Sequence, residues 1–196
     1  MDSSEAKKIA KSILSKERFY HTECVATAAK QLAKRFGVDV EQAKIAAFLH
    51  DIAKEFDRSV LLQMLVNSDT IEHDNLRDCP SVWHSHAGAI YIQNELGIDD
   101  EIASAVRFHT TAKADMTLLE KIVFLADCTS SDRTEDYLAE IRKKLQKCQN
   151  TMEALDHILL SAIESQIKYI IETNRMIHLD SIGAYNYLIA NKTNGD

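Results

Sequence analysis

Apolar residues recur at helical spacing along almost the whole chain. One clear example runs through Val25, Ala28, Leu32 and Phe36, whose steps of three and four residues place them on one face of a helix. No segment sustains the two-residue alternation of a half-buried strand, and the chain contains one proline and five glycines. The pattern therefore predicts an all-α fold, a bundle of helices without a sheet.

Capping residues and helix breakers divide this pattern into separate helices. Asp39 with Gln42, and Thr117 with Glu120, have the spacing of capping boxes, and Gly37 is placed to end a helix. The predicted bounds are about 3–14, 18–36, 39–54, 57–66, 81–96, 99–109, 117–127, 136–147, 151–175 and 180 onward. Ser3 or Ser4 is the expected cap of the first helix and Asp180 that of the last. The polar stretch 67–80 is predicted to be a loop or a short lid-like insertion.

The central predicted helix ends in a His-Asp pair, His50 and Asp51, within a segment that is apolar nearly all round. Such a helix lies inside a bundle. Burying an ionised aspartate there costs roughly several kcal/mol unless a cation or a full set of hydrogen bonds compensates it. A single pair of this kind is more often a core histidine bonded to an aspartate than a metal site, because metal sites need several ligands.

Further histidines and aspartates lie on apolar stripes or end apolar helices. Together with the central pair, the candidate ligands are His21, His50, Asp51, His84, His109 and Asp127. A set of this size and type favours first-row transition metals such as iron or manganese and exceeds what a single tetrahedral zinc needs. A carboxylate next to a histidine could bridge two ions about 3.5 to 4 Å apart, the spacing used to hydrolyse phosphate esters and anhydrides.

Composition narrows the other possibilities. The net charge of −7 argues against a general nucleic-acid surface, which needs a basic stripe. The four cysteines form no C-x-x-C pair, which argues against a disulfide framework and a thiolate zinc site. No apolar run approaches the roughly 20 residues of a membrane span, and no signal-peptide core is present. The expectation is a soluble cytoplasmic protein with one domain.

The order and spacing of the candidate ligands resemble the H…HD…D pattern of the HD-domain metal-dependent phosphohydrolases. The resemblance is closer to one branch, the YqeK family of bacterial symmetrical diadenosine tetraphosphate hydrolases, which have a di-iron site. The segments that carry it are Arg18–Thr22 (RFYHT), 49–54 (LHDIAK), 84–88 (HSHAG), 107–111 (RFHTT) and 118–127 (LLEKIVFLAD).

This resemblance implies a single HD domain over residues 1–196, with the metal site within 18–133 and the C-terminal helices, 136–196, completing the bundle. It implies two divalent metal ions, iron or else manganese, a small nucleotide as substrate and a homodimer. One ion would be held by His21, His50, Asp51 and Asp127, and the other by His84 and His109 with Asp51 as the bridge. Lys54, Thr110, Thr111 and Arg133 would contact phosphate oxygens, and Asp51, Lys54 and Arg133 would be the catalytic residues.

The chain departs from the family pattern at three places. Ser130-Ser131 replaces a Glu-Pro pair, Ala112 replaces a glycine, and His86 replaces a proline. The first departure leaves open the shape of the loop that carries Arg133; Lys113 is the alternative cation if that loop has moved. His86 lies about 200° from His84 around a helix, so it is excluded as a partner ligand. His73, His157 and His178 are interpreted as structural or surface residues.

Two alternative functions remain open at this stage. The chain could be an HD phosphohydrolase for another nucleotide, such as a mononucleotide or an alarmone. It could also be a nucleotide-sensing bundle whose metal site is only structural. The set of six ligands disfavours the second alternative, because a structural site has no use for a second metal with open positions.

Overall fold

The computed structural model describes residues 1–72 and 75–193, with side chains up to residue 191. Its α-helices are α1 (Ser3–Ile13), α2 (Lys16–Phe36), α3 (Val40–Leu49), α4 (Arg58–Asn67), α5 (Trp83–Leu96), α6 (Asp100–Arg107), α7 (Leu118–Thr129), α8 (Asp136–Lys147), α9 (Met152–Glu172) and α10 (Leu179–Thr193). Within 67–80 the described residues form short 3₁₀ helices rather than open loop. No strand occurs in the described ranges, and the predicted all-α class is confirmed.

Local sequence signals account for most helix ends. Gly37 and Gly97 have φ angles of +79° and +63°, the left-handed conformation that glycine adopts without strain after the last turn of a helix. At the start of α7, Thr117 and Glu120 form both hydrogen bonds of a capping box. The Asp39 carboxylate accepts from the first amides of α3, as its position predicts.

Two predicted caps are wrong. The cap of α1 is Asp2, whose carboxylate accepts from the amide of Glu5 at 2.8 Å, so Ser3 lies inside the helix. Asp180 is the second residue of α10 rather than its cap. In both cases the helix begins earlier than the pattern predicts, because apolar periodicity does not determine which of several neighbouring polar residues caps a helix.

The predicted end of the central helix is also wrong. α3 ends at Leu49, and residues 50–55 form tight turns instead of a further helical turn. The amide of Ile52 donates to the carbonyl of Leu49 at 3.1 Å, and that of Lys54 to Asp51 at 2.9 Å, both to the residue three positions earlier. His50 and Asp51 therefore lie just beyond the helix end, in the middle of the molecule.

The packing of the bundle places this turn at its centre. α3 packs against α1, α2, α6 and α7, and α5 packs against α4 and α6. α7 also contacts α8 and α9, which joins the C-terminal helices to the bundle. The apolar stripe of α9 is core along its first half, because Leu155, Ile158, Leu159, Ala162 and Ile163 are buried. No helix among the described residues is both long and apolar enough to cross a membrane.

Candidate metal centre and its cleft

The structure brings the six candidate ligands together from five parts of the chain. His21 comes from α2, His50 and Asp51 from the turn after α3, His84 from α5, His109 from the turn after α6, and Asp127 from α7. The four imidazole rings follow one another, with centroid distances of 5.3 Å for His21 to His50, 4.9 Å for His50 to His109 and 5.3 Å for His109 to His84. All four rings are buried.

Asp51 lies between His50 on one side and His84 with His109 on the other. Its Oδ1 is 3.3 Å from Nε2 of His84 and 3.5 Å from Nε2 of His109. Its Oδ2 is 3.7 Å from Nε2 of His50. The two carboxylate oxygens thus face different imidazoles, which is the arrangement that a bridging carboxylate needs.

The two remaining candidate ligands, His21 and Asp127, cluster with His50. His21, His50 and Asp127 offer ligand atoms that all lie within 4.8 Å of one another, and so do His50, Asp51 and His109. His21 Nε2 lies 3.1 Å from Asp127 Oδ1. Because His50 belongs to both of these clusters and is adjacent to Asp51, the two clusters are contiguous.

Hydrogen bonds at Nδ1 orient three of the four rings. Nδ1 of His50 is 2.7 Å from the carbonyl of Ala47, and Nδ1 of His109 is 2.7 Å from the carbonyl of Val106. A carbonyl can only accept, so each Nδ1 must carry the proton and each Nε2 must present its lone pair to the centre. His21 Nδ1 lies 2.7 Å from the carboxylate of Asp132, which has the same effect. Metal-ligating histidines are oriented in this way.

The electrostatics of the centre fit a cation. The buried Nε2 atoms of His21 and His50 have no hydrogen-bond partner among the described residues. Burial lowers the pKa of His50 and that of His84 to about 4, so both rings are neutral at pH 7. Burial alone would raise the pKa of Asp51, but the surrounding imidazoles, His50 foremost, lower it well below its usual value. His50 and His84 thus offer neutral lone pairs beside ionised carboxylates, whereas the pKa of His21, which burial alone would lower, is raised by the Asp127 and Asp132 carboxylates on its two sides. Imidazole with carboxylate is a donor set suited to iron or manganese.

Three cationic side chains border the centre. Arg18 Nη1 donates to Asp51 Oδ2 at 3.1 Å, and Lys54 Nζ lies 3.0 Å from His84 Nε2. Burial lowers the pKa of Lys54. Arg133 contacts the Asp127 carboxylate through Nη2, and its Nε donates to the Asp127 carbonyl at 3.2 Å. Sequence reasoning missed Arg18, although it lies one helical turn before His21 on the same face.

The loop with Ser130-Ser131 keeps Arg133 at the centre despite the departure from the family pattern. Lys113, the alternative cation, instead pairs with Glu120 at 3.4 Å and lies over the Phe108 ring. Of the two, Arg133 alone lines the cleft described below.

The predicted phosphate-binding threonines differ in their surroundings. The Thr110 hydroxyl lies 2.9 Å from that of Ser85, whereas the buried Thr111 hydroxyl donates to the carbonyl of Ala112 at 2.9 Å. Both residues line the cleft. Ala112 has φ +57°, a conformation that costs a residue with a Cβ about 1 kcal/mol and that glycine would adopt without this cost.

The other histidines lie apart from the six ligands. His86 is buried beside Phe108, and burial together with the Arg107 guanidinium lowers its pKa to about 3. His178, interpreted as a structural or surface residue, is buried, and ligand atoms of His86, His178 and Asp180 lie within 4.8 Å of one another. His157 is exposed, and His73 lies outside the described residues.

A cleft of about 400 Å³ opens from the centre toward the C-terminal helices. Asp51, Lys54, Thr110 and Arg133 line its inner end, and Tyr137, Tyr169, Arg175 and Met176 line it further out. The two tyrosine rings are stacked with centroids 5.9 Å apart, and the Arg175 guanidinium lies 5.1 Å from the centre of the Tyr169 ring. Sequence reasoning missed this aromatic wall, because no local pattern shows that α8 and α9 converge on the cleft.

Comparison with known proteins gives a consistent result. Residues 18–132 match the model of the HD domain family. The chain is 32% identical over 191 residues to the symmetrical bis(5'-nucleosyl)-tetraphosphatase of Bacillus subtilis, covering 97% of this chain and 99% of that protein. A protein of the same name from Halalkalibacterium halodurans is 32% identical, with 96% and 98% of the two chains covered.

Solved structures include a close match to the fold. A crystal structure from Clostridium acetobutylicum, described as a predicted HD superfamily hydrolase involved in NAD metabolism, superposes with a TM-score of 0.86. It is 29% identical, and the match covers 96% of this chain and 97% of that one. The likeness therefore extends over the C-terminal helices as well as the metal centre.

Proposed function

The chain belongs to the HD domain family, and we infer that it is a metal-dependent hydrolase that cleaves diadenosine tetraphosphate symmetrically into two molecules of ADP. The observation that carries this inference is the convergence of six candidate ligand side chains at one buried site around Asp51, in a chain similar over nearly its full length to symmetrical bis(5'-nucleosyl)-tetraphosphatases. A hydrolase of this kind needs a metal centre beside a cleft that admits a polyphosphate, and both features occur together here.

We assign one divalent ion to His21, His50, Asp51 and Asp127, and a second to His84 and His109 with Asp51 between them. The positions of the two Asp51 oxygens support this division, because each oxygen faces a different set of imidazoles. Bound ions of this type polarise phosphoryl oxygens and lower the pKa of coordinated water. The donor set favours iron, with manganese as the alternative.

The protein's own side chains would bind the phosphates. Lys54, Arg133 and Thr110 line the cleft beside the centre, and each can donate a hydrogen bond to a phosphate oxygen. The guanidinium of Arg133 has five N–H donors, so its contacts with Asp127 leave others for substrate. Thr111 lies deeper, and its backbone is held by Ser181, whose hydroxyl donates to the Thr111 carbonyl at 2.8 Å. Thr111 would then shape the phosphate site more than it contacts phosphate.

A nucleoside would lie against the aromatic wall formed by Tyr137 and Tyr169. The wall belongs to the same cleft as the phosphate-binding residues, so a nucleotide gripped at the centre can extend toward it. Aromatic side chains stack on nucleobases without selecting among them. Arg175, which lies over Tyr169, can contact the ribose or a phosphate from the outer side.

The position of cleavage tests the proposed activity. Purified protein loaded with iron or manganese should convert diadenosine tetraphosphate into ADP alone, because the phosphate-binding group holds one nucleoside diphosphate half while the other half departs. In water enriched in heavy oxygen, one ADP of each pair should carry the label. Chromatography of the products and mass spectrometry of the ADP measure both quantities.

Two other product patterns would contradict this function. Equal amounts of ATP and AMP would mean asymmetric cleavage. Faster release of orthophosphate from mononucleotides than consumption of the dinucleotide would favour an HD phosphohydrolase for another substrate. Binding of the dinucleotide with no turnover in the metal-loaded protein would favour a sensing bundle.

Removing the ring of Tyr169 should weaken substrate binding. We expect Tyr169→Ala to raise KM for diadenosine tetraphosphate about tenfold, because stacking on one base contributes about 1 to 3 kcal/mol. Tyr169 is 44% exposed, so its removal should cost little stability. Steady-state kinetics measure the effect, and Tyr169→Phe, which keeps the ring, should remain close to the wild type. An unchanged KM for Tyr169→Ala would place the nucleoside elsewhere.

The proposed enzyme is a cytoplasmic homodimer. Large apolar side chains near the junction of α9 and α10 support the dimer, since Ile171, Met176 and Leu179 are 60%, 59% and 51% exposed. Exposed apolar groups that lie together mark interaction surfaces. The junction borders the outer end of the cleft, so a partner chain could approach the substrate there.

A further inference from the structure

Asp132 makes a contact with the metal centre that the sequence pattern does not predict. It lies in the loop after α7, and its Oδ2 is 2.7 Å from Nδ1 of His21. The His21 ring is buried, and its other nitrogen, Nε2, lies 3.1 Å from Asp127. One histidine is thus held between a carboxylate on its outer side and a candidate ligand on its inner side.

His21 needs such a side-chain partner because of its place in a helix. His50 and His109 lie beyond helix ends, where the carbonyls of Ala47 and Val106 accept their Nδ1 protons. His21 lies inside α2, where the carbonyl groups already accept hydrogen bonds of the helix. The carbonyl of Arg18, one turn earlier, also accepts from the Thr22 hydroxyl at 3.0 Å. A carboxylate from another element therefore takes the part that a backbone carbonyl plays elsewhere in the centre.

The loop that carries Asp132 is held from outside by Arg142 of α8. The Arg142 guanidinium donates to the carbonyls of Thr129 and Arg133, each at 2.8 Å, and also to that of Ser130. These carbonyls lie on both sides of Asp132 in the chain. The loop with Ser130-Ser131 is therefore fixed in place by a side chain of α8.

We propose that Asp132 is a positioning residue of the metal centre. It accepts a hydrogen bond from Nδ1–H of His21. This bond fixes the tautomer and the ring orientation that present Nε2 to the ion held by His21, His50 and Asp127. The proposal rests on the proposed function only in requiring that this centre binds metal. Outer partners of ligating histidines raise the basicity of the ligand and typically change metal affinity 10- to 100-fold.

Metal affinity tests the proposal without relying on activity. Metal-free protein is titrated with Mn²⁺ by calorimetry, and Asp132→Ala should weaken one of the two binding events about 10- to 100-fold while the other stays unchanged. Asp132→Asn keeps an oxygen that can accept from Nδ1–H and should restore affinity to within a few-fold of the wild type. Glu140→Ala removes one carboxylate from the exposed face of α8 and serves as the matched control for charge.

A second measurement keeps the proposal testable if Asp132→Ala is poorly folded. Nitrogen chemical shifts of the His21 ring, recorded by NMR on the metal-free wild type, should show that Nδ1 carries a proton, and Asp132→Asn should retain that proton. An Nδ1 without a proton in the wild type would overturn the proposal, and so would unchanged Mn²⁺ affinity in a folded Asp132→Ala. Wild-type protein that binds Mn²⁺ but does not cleave the dinucleotide would count against the proposed function and leave this test intact.

Discussion

Replacement of Asp51 by alanine is expected to abolish hydrolysis of diadenosine tetraphosphate and to lower the metal content from about two ions per chain to less than one. The two oxygens of Asp51 face different imidazoles, so its loss should affect both of the proposed ions at once. It also leaves the Arg18 guanidinium without its carboxylate partner at the entrance to the centre. Metal analysis of protein purified without chelator, together with a turnover assay, measures the two effects.

A graded series makes this test more specific. Asp51→Asn keeps the shape of the side chain but removes its charge, so it should lose activity while folding like the wild type. His157→Ala removes an exposed imidazole and should leave metal content and turnover unchanged. Retention of two ions by Asp51→Ala would rule out a bridging role, and equal losses in His157→Ala would mean that the assay reports general damage to the protein.

The six candidate ligands could be identified from the sequence because each one lies on an apolar stripe or ends an apolar helix. A polar residue such as His21 or Asp127 within a buried helical face must be compensated, and six such residues in one chain predict a common site. The helix caps at Asp39 and Thr117 could be predicted in the same way, because the residues that form each cap lie within four positions of one another. In both cases the information is local along the chain.

The parts that were missed depend on contacts between distant segments. Asp132 is more than a hundred positions from His21, and nothing in its own neighbourhood distinguishes it from a surface aspartate. The aromatic wall requires α8 and α9 to pack side by side so that Tyr137 meets Tyr169. The early end of α3 at Leu49 is likewise set by the packing of the turn, since its residues have no breaker among them. The periodicity of apolar residues predicts which face of a helix is buried, but it does not predict which other segment packs against that face.

The residue with the largest expected effect on turnover alone is Arg133. Its guanidinium lies at the inner end of the cleft, is 30% exposed and contacts the Asp127 carboxylate. The Asp127 carboxylate raises the pKa of Arg133 against the effect of burial, so the side chain is always charged. In the proposed reaction, a fixed cation at this position would stabilise the charge that develops on the phosphate oxygens during cleavage.

Arg133→Ala should therefore reduce kcat for diadenosine tetraphosphate by about 10²-fold or more while the metal content remains at the wild-type value. Arg133→Lys keeps the charge without the planar fork and should recover part of the loss. The contact with Asp127 offers a competing explanation, in which Arg133 serves only to hold a metal ligand. Measuring metal content and kcat on the same preparations separates the two roles, since a holding role requires both to fall together, whereas a phosphate-binding role requires kcat to fall alone. Unchanged kinetics would show that Arg133, although it lines the cleft, does not act on the phosphates.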